Sequence, residues 1–358
     1  MKKTPLYDLH VNLKAKLVNF GGYSMPIQYK GITIEHKCVR QDVGIFDVSH
    51  MGEFIVEGNE SLDFLELICS NNISKIEIGK AQYNCFTNHE GGIVDDLIVY
   101  RTKKTKFMLV VNAANIEKDW NWMNENISDF DCNLIDISNE TGMISVQGTK
   151  SMSLMSDVFD GNFSELKKFE HKSLLYNNDK IIVSNTGYTG SPGYEIYANN
   201  KITKSLWKKL LKVGGKYDIL PIGLGARNTL RLEMGYCLYG NDINDLTTPF
   251  EANLMWITNL KKDFIGKEKI LNSIETSSKK MINFKMIEKG IPRNGYDIKD
   301  EYGNKIGNVT SGTFSPSNKI GIGIGYLNTS FNIGDIIFIS VREKPLKAEI
   351  VKLPISNG

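Results

Sequence analysis

The stretch GGIVDDLIVYRTKKTKFMLVVNAANIEKDWNWMNEN, residues 91–126, decides the fold class. Gly91-Gly92 is a turn signal, and residues 93–101 form a β-favouring run. A lysine-rich break leads into a second such run, 106–113. Residues 114–126 then carry the charge pattern of a surface helix. Two strands followed by a helix point to mixed secondary structure. Upstream, Ile32, His36, Val39 and Val43 fall near one helical face, predicting a helix over 32–43 ended by Gly44. A further helix fits 60–69. Residues of roughly 52–135 therefore read as a compact α+β unit.

Downstream, a strand over 141–148 leads into a helix over 149–155. Residues 181–184 and 193–197 read as a strand pair, and helices fit 201–213 and 222–234. After about residue 280 the texture changes. Short β-type runs at 281–287, 305–310, 320–327, 335–341 and 348–353 are separated by Gly, Asn, Pro and Ser. They predict a small all-β barrel or jelly-roll-like domain. The segment NSIETSSKK, 272–280, marks the boundary. With 358 residues the chain exceeds what one hydrophobic core serves, so two or three domains are expected.

Composition excludes several classes. Charged residues (23%) and hydrophobic residues (41%) match a globular protein, and a net charge of +2 offers no basic stripe for nucleic acid. The five cysteines are far apart, without a CxxC pair, which fits a reducing compartment and predicts no zinc cage. No HExxH pair occurs, and no metal is expected. Residues 1–10 carry charges and no apolar core, and no 18-residue apolar run exists. Neither a secretory signal nor a membrane span is expected, and a cytoplasmic location follows.

Three segments could carry chemistry. Alternation along 93–101 groups Val94, Asp96, Ile98 and Tyr100 on one face, with Asp95, Leu97 and Val99 on the other. The next strand groups Met108, Val110 and Asn112. One aspartate with Tyr100, Val110 and Asn112 could line a pocket for a flat, polar-edged aromatic ligand. Alternatively, the aspartate pair caps the turn after Gly91-Gly92. The second segment, TGYTGSPGYE (186–195), combines three glycines permitting positive φ or close approach with Tyr188 and Glu195. Its carboxylate could accept two parallel hydrogen bonds from a guanidine-like ring edge, or simply stand exposed on a turn. The third, IGLGARNTLRLEMGYCLYGND (222–242), is a helix bearing Arg227 and Arg231, which could equally be solvated. Gly321, Gly323 and Gly325 lie in the β-rich part without a βαβ context, so a dinucleotide fold is not predicted.

The order and wording of longer strings say more. KTPLYDLH (3–10), FGGYSMPIQYKGI (20–32), VGIFDVSHMGE (43–53), GGIVDDLIVY (91–100), VVNAANIEKD (110–119), TGYTGSPGYE, LGARNTLRLEMGYCLYGNDI (224–243), TTPFEANLMW (247–256) and GNVTSGTFSP (307–316) together resemble the aminomethyltransferases, the T-proteins of the glycine cleavage system. The resemblance implies an α+β, three-domain clover-leaf around a central folate channel. Domain one would be 1–51 plus 137–243. A ferredoxin-like domain two would be 52–136 plus 244–270, and the all-β domain would be 280–358. It implies Asp96 as the catalytic carboxylate and Glu195 as holder of the pterin edge. Arg227 would brace that site or meet an acidic part of folate. Tyr83, Tyr100, Asn112, Tyr188 and Tyr236 would surround the folate, and Met51 would line the channel.

The implied reaction passes the methylene carbon of an aminomethyl group, borne on a lipoylated carrier protein, to the co-substrate tetrahydrofolate. That chemistry needs positioning and one carboxylate to steer protons. The tail VKLPISNG (351–358) departs from the family's Lys-x-Pro-aromatic ending, with Ile355 and Ser356 after Pro354, so no tail residue is carried over. Two rivals share the resemblance. One is a tetrahydrofolate-dependent demethylase of the same fold. The other is a folate-binding maintenance protein, which would carry a Lys-Gly-Cys-Tyr-type motif where this chain has Met234-Gly235-Tyr236-Cys237.

Overall fold

The computed structural model describes residues 1–328 and 330–355, so Ser356 of the tail lies outside the described residues. Contacts divide the chain into two units: residues 1–84 with 96–227, and residues 85–95 with 228–358.

The first unit holds a six-stranded sheet and most of a five-stranded one. The larger has six strands in the order His171–Tyr176, Asp179–Ser184, Gly193–Asn199, Thr141–Gln147, Gly44–Asp47 and Leu220–Pro221. Only the last pairing is parallel. The helices Ser151–Phe159 and Asn200–Gly214 supply Leu154, Leu206 and Trp207 to one core with Ile144, Val146 and Ile196. Ile144 and Val146 are two apart on one strand, so the pleat turns them to the same face, and Ile196 pairs directly with Ile144 on the next strand.

The second sheet has five strands, ordered Ala81–Thr87, Ile93–Lys103, Lys106–Val111, Gly52–Glu57 and Asn133–Asp136. Its helices are Ser61–Ile68 and Ile116–Asn126. All of these strands fall within residues 52–136, the stretch read from sequence as α+β.

In the second unit, six strands close into a barrel. Around it run Lys280–Met286, Ile320–Leu327, Lys305–Ser315, Asp297–Lys299, Ile336–Val341 and Lys344–Val351. Alternate residues such as Ile282, Phe284 and Met286 fill the interior with Ile337, Ile339 and Ile350. The expectation left open between barrel and jelly roll resolves to the closed barrel, which leaves no free sheet edge. Residues 305–310 continue to Ser315 across a bulge between Val309 and Ser311, which the Ser- and Gly-rich wording disguised as a loop.

Some boundaries differ from expectation. The helix predicted over 32–43 spans Ile32–Gln41. Gly44 opens a strand instead of ending that helix, pairing with Gln147 and Leu220, and a Cβ there would meet Ile222 at 2.4 Å. Likewise the 222–234 helix begins at Leu224, after the short strand Leu220–Pro221.

Candidate functional site

Asp96 stands inside the strand Ile93–Lys103, not at a turn. The turn before it is closed by Asn88, whose Oδ1 accepts from the backbone N–H groups of Glu90 and Gly92. The alternative reading of the aspartates as turn caps therefore fails. Asp95 is fully buried, whereas Asp96 and Ile98 are half-buried, so one face of the strand is sealed and the other is partly open.

The neighbouring strand pairs Ile98 with Val110, a register that sets Asn112 opposite Asp96. Asn112 Nδ2 donates to Asp96 Oδ1 at 2.9 Å and to its carbonyl at 3.0 Å. Tyr83 OH donates to Asp96 Oδ2 at 2.8 Å. Each carboxylate oxygen thus has its own donor, which fixes the plane of the group. Val110 is buried, and Tyr100 is fully buried with its hydroxyl within hydrogen-bond reach of Thr186 and Tyr197.

A second cluster forms where the loop 185–192 meets the six-stranded sheet. A partly open recess is walled by the apolar side chains of Phe46, Val48, Met51 and Met143, with Ser145, Tyr188, Thr189, Glu195 and Arg227 as its polar members. Apolar walls with a few convergent polar groups suit a flat heteroaromatic ligand. Arg227 lies over the Tyr188 ring, 4.5 Å from its centroid. Glu195 sits on the strand Gly193–Asn199, opposite Ser145 on one side and Ser184 on the other. Loss of hydration raises its pKa above the usual carboxylate range, opposed by the Thr186 hydrogen bond and then by the Arg227 charge.

The glycines near Glu195 serve different ends. Only Gly190 has positive φ, at 75°. Gly187 and Gly193 are needed for space, since a Cβ on either would lie 2.1–2.4 Å from the Gln147 amide. That amide ties the loop down, donating to Ser145 Oγ and the Thr186 carbonyl while accepting from Thr189 Oγ1.

Beside Met51, His50 is fully buried against Phe20, with no hydrogen-bond partner on either ring nitrogen among the described residues. Burial, then the Arg227 charge, pushes its pKa down to about 3, so the ring is neutral at physiological pH. Sequence reasoning did not single out His50, Thr186 or Tyr197. The strings SHMGE and TGYTG drew attention to that neighbourhood without separating these members.

Tyr236 belongs to the second unit, where its carbonyl accepts from Arg231 Nη1 at 2.8 Å. Arg231, for which a solvated position was one of two readings, is 1% exposed and ion-paired to buried Asp242 at 2.7 Å, with a further bond to Ser311. Its role in this unit is structural. Among the described residues, no helix is long and apolar enough to cross a membrane.

Comparison with known proteins agrees with this architecture. Residues 6–262 match the GCVT N-terminal domain, and residues 279–356 match the glycine cleavage T-protein C-terminal barrel domain. Aminomethyltransferases of Phocaeicola vulgatus and Flavobacterium psychrophilum are 47% and 46% identical to it, each alignment covering 99% of both chains. The crystal structure of glycine cleavage system aminomethyltransferase T from Bartonella henselae superposes with a TM-score of 0.93 at 32% identity, covering 99% of this chain and 98% of that one. With both domain models matched and full-length relatives this similar, the chain belongs to the aminomethyltransferase family of glycine cleavage T-proteins.

Proposed function

We propose that this aminomethyltransferase takes the methylene carbon of an aminomethyl group held on the lipoyl sulfur of a carrier protein and gives it to tetrahydrofolate. The products are 5,10-methylenetetrahydrofolate, ammonia and the dihydrolipoyl carrier. Two C–N bonds form at the folate nitrogens, while the carbon's bonds to sulfur and to the amine nitrogen break. The two protons leaving the folate nitrogens balance those gained by the thiol and the amine. No redox change occurs, so proton steering is the task left to the protein.

The observation that carries this reading is Asp96. It is a half-buried carboxylate on a strand, held by Tyr83 and Asn112, one oxygen each. Such a group can relay protons and sit beside developing positive charge without swinging away. Glu195 would hold the pterin edge, with Tyr188 and Arg227 beside it and Met51 along the wall. Asp96 and Tyr100 are four residues apart, about 13 Å along a strand. Thr186 hydrogen-bonds both Tyr100 and Glu195, which brings the Glu195 cluster to the Tyr100 end of that strand. The cysteines, scattered without a CxxC pair, support a cytoplasmic setting.

The test is ammonia release with lipoylated carrier and tetrahydrofolate, each omitted in turn. Turnover requiring both is expected. Product formed from a free methyl donor without carrier would instead assign the chain to demethylation. Asp96→Asn should lower kcat by roughly 10²–10⁴ and change folate affinity less. Asp95→Asn, on the sealed face, should mainly lower stability. The opposite ranking would remove Asp96 from the reaction.

A further inference from the structure

A carboxylate that grips a planar donor edge must be ionised and held in one orientation. Behind Glu195 lies a buried set of hydroxyls arranged for both. Glu195 Oε2 accepts from Thr186 Oγ1 at 2.5 Å, a length typical of charge-assisted bonds. Thr186 Oγ1 also lies 2.9 Å from Ser184 Oγ and 3.2 Å from Tyr100 OH. Tyr100 OH lies 2.9 Å from Tyr197 OH. All four hydroxyl residues are less than 9% exposed, which keeps bulk water from replacing a missing partner.

Counting protons fixes the direction of the chain. A threonine hydroxyl has one proton and two lone pairs. With its proton given to ionised Glu195, Thr186 must accept from both Ser184 and Tyr100. Tyr100 has then given its only proton, and Tyr197, which hydrogen-bonds both Tyr100 and Glu195, gives its one proton to either of them. Every proton therefore points towards the carboxylate, and successive bonds polarise one another in the same sense. A protonated Glu195 would donate to Thr186 instead and force at least one bond behind it to reverse.

We propose that Thr186, backed by Tyr100 and Tyr197, is a positioning residue that orients Glu195 and holds it as the carboxylate. The assignment rests on the reading of Glu195 as the pterin holder. The titratable groups facing Glu195 are Arg227 from the helix Leu224–Glu233, Tyr197 on its own strand and Tyr100 across the network. Glu53 acts on Tyr197, and His171 packs edge-on against Tyr100. The cross-strand neighbours Ser145 and Ser184 carry no charge. Of these groups, only the Thr186, Tyr197 and Arg227 interactions favour the ionised form of Glu195.

The experiment titrates tetrahydrofolate binding to the full chain from acid to mildly alkaline pH. Affinity of the unaltered protein should fall as acid protonates Glu195. Thr186→Val removes a donor to the charged form, so that fall should begin about one pH unit higher. Thr186→Ser keeps the hydroxyl and should restore the original profile. Tyr197→Phe should shift the profile the same way by less. A Thr186→Val profile superimposed on the original, or a Thr186→Ser profile shifted as far as Val, overturns the proposal. Should Thr186→Val not fold, a Tyr197→Phe profile identical to the original does the same. Glu195→Gln separates the two readings. If it binds folate like the unaltered protein at every pH, the pterin placement itself is wrong, whatever Thr186 does.

Discussion

Glu53 shows what a single side chain can contribute to pH dependence without touching a ligand. It is fully buried on the strand Gly52–Glu57, and neither carboxylate oxygen has a hydrogen-bond partner among the described residues. Burial, and secondarily the charge of Asp136, raises its pKa well above the usual carboxylate range. A raised carboxyl pKa favours the protonated form in the folded state. Its contribution to stability is therefore complete below the unfolded pKa and is lost as pH rises through the folded one. Glu53→Gln keeps the shape and removes the ionisation. We expect the Gln variant to gain thermal stability relative to the unaltered protein as pH rises from mildly acid to mildly alkaline. A melting-temperature difference that stays flat over that range would show Glu53 to be ionised throughout. At this scale, sequence reveals what alternation controls. Asp96 and Asn112 occupy matching positions on adjacent strands, so their meeting was legible. The Thr186–Tyr100–Tyr197 chain was not, because it joins strands of two different sheets that no local periodicity links.

Elements were legible where period and punctuation agreed. The strand Ile93–Lys103, the helix Asn200–Gly214 and five of the six barrel strands fall close to where apolar runs and glycine breaks put them, while the three-residue strand Asp297–Lys299 went unread. The hairpin Lys16–Phe20 with Tyr23–Gln28 went unread, although Gly21-Gly22 between two β-type runs was the signal. The short strands His171–Tyr176 and Asn133–Asp136 have mostly exposed or half-buried residues and so lack an apolar stripe to find. Glycines explain another misleading pattern. Gly321, Gly323 and Gly325 are spaced like a nucleotide loop, yet a Cβ on each would strike Gly290 O, the Phe284 ring or Asn308 O. They are a crowded barrel strand. The same reasoning predicts the outcome at Gly193, where a Cβ would sit 2.4 Å from Gln147 Cδ. Gly193→Ala overpacks a buried amide that holds the loop by Thr186 and Thr189. It should cost about 1–3 kcal/mol and weaken folate binding as well. Unchanged melting temperature and unchanged affinity together would mean that Gln147 yields without disturbing the loop.

For the whole molecule, composition exposed one boundary clearly, the onset of the barrel near residue 280. The remaining organisation is discontinuous. Residues 85–95 group with the C-terminal part of the chain, while 96–227 group with the N-terminal part. A contact division of that kind leaves no mark in local composition, because both segments are built from ordinary strand and turn residues. Binding, unlike chemistry, is a property that the whole fold reports. Tetrahydrofolate that binds only the folded protein stabilises it by mass action, by about 2.7 kcal/mol at a hundredfold excess over Kd. For a chain of 358 residues that amounts to a rise of a few degrees in Tm. The shift should need no added metal, and it should persist in Asp96→Asn, whose proposed part is in the reaction. Glu195→Ala should lose most of it, because the pterin's donors would face a site without their acceptor. Scanning calorimetry of the three proteins, with and without folate, separates the roles. A shift abolished by Asp96→Asn but kept by Glu195→Ala would exchange the two carboxylates' assignments, with Asp96 holding the ligand and Glu195 the candidate for proton transfer.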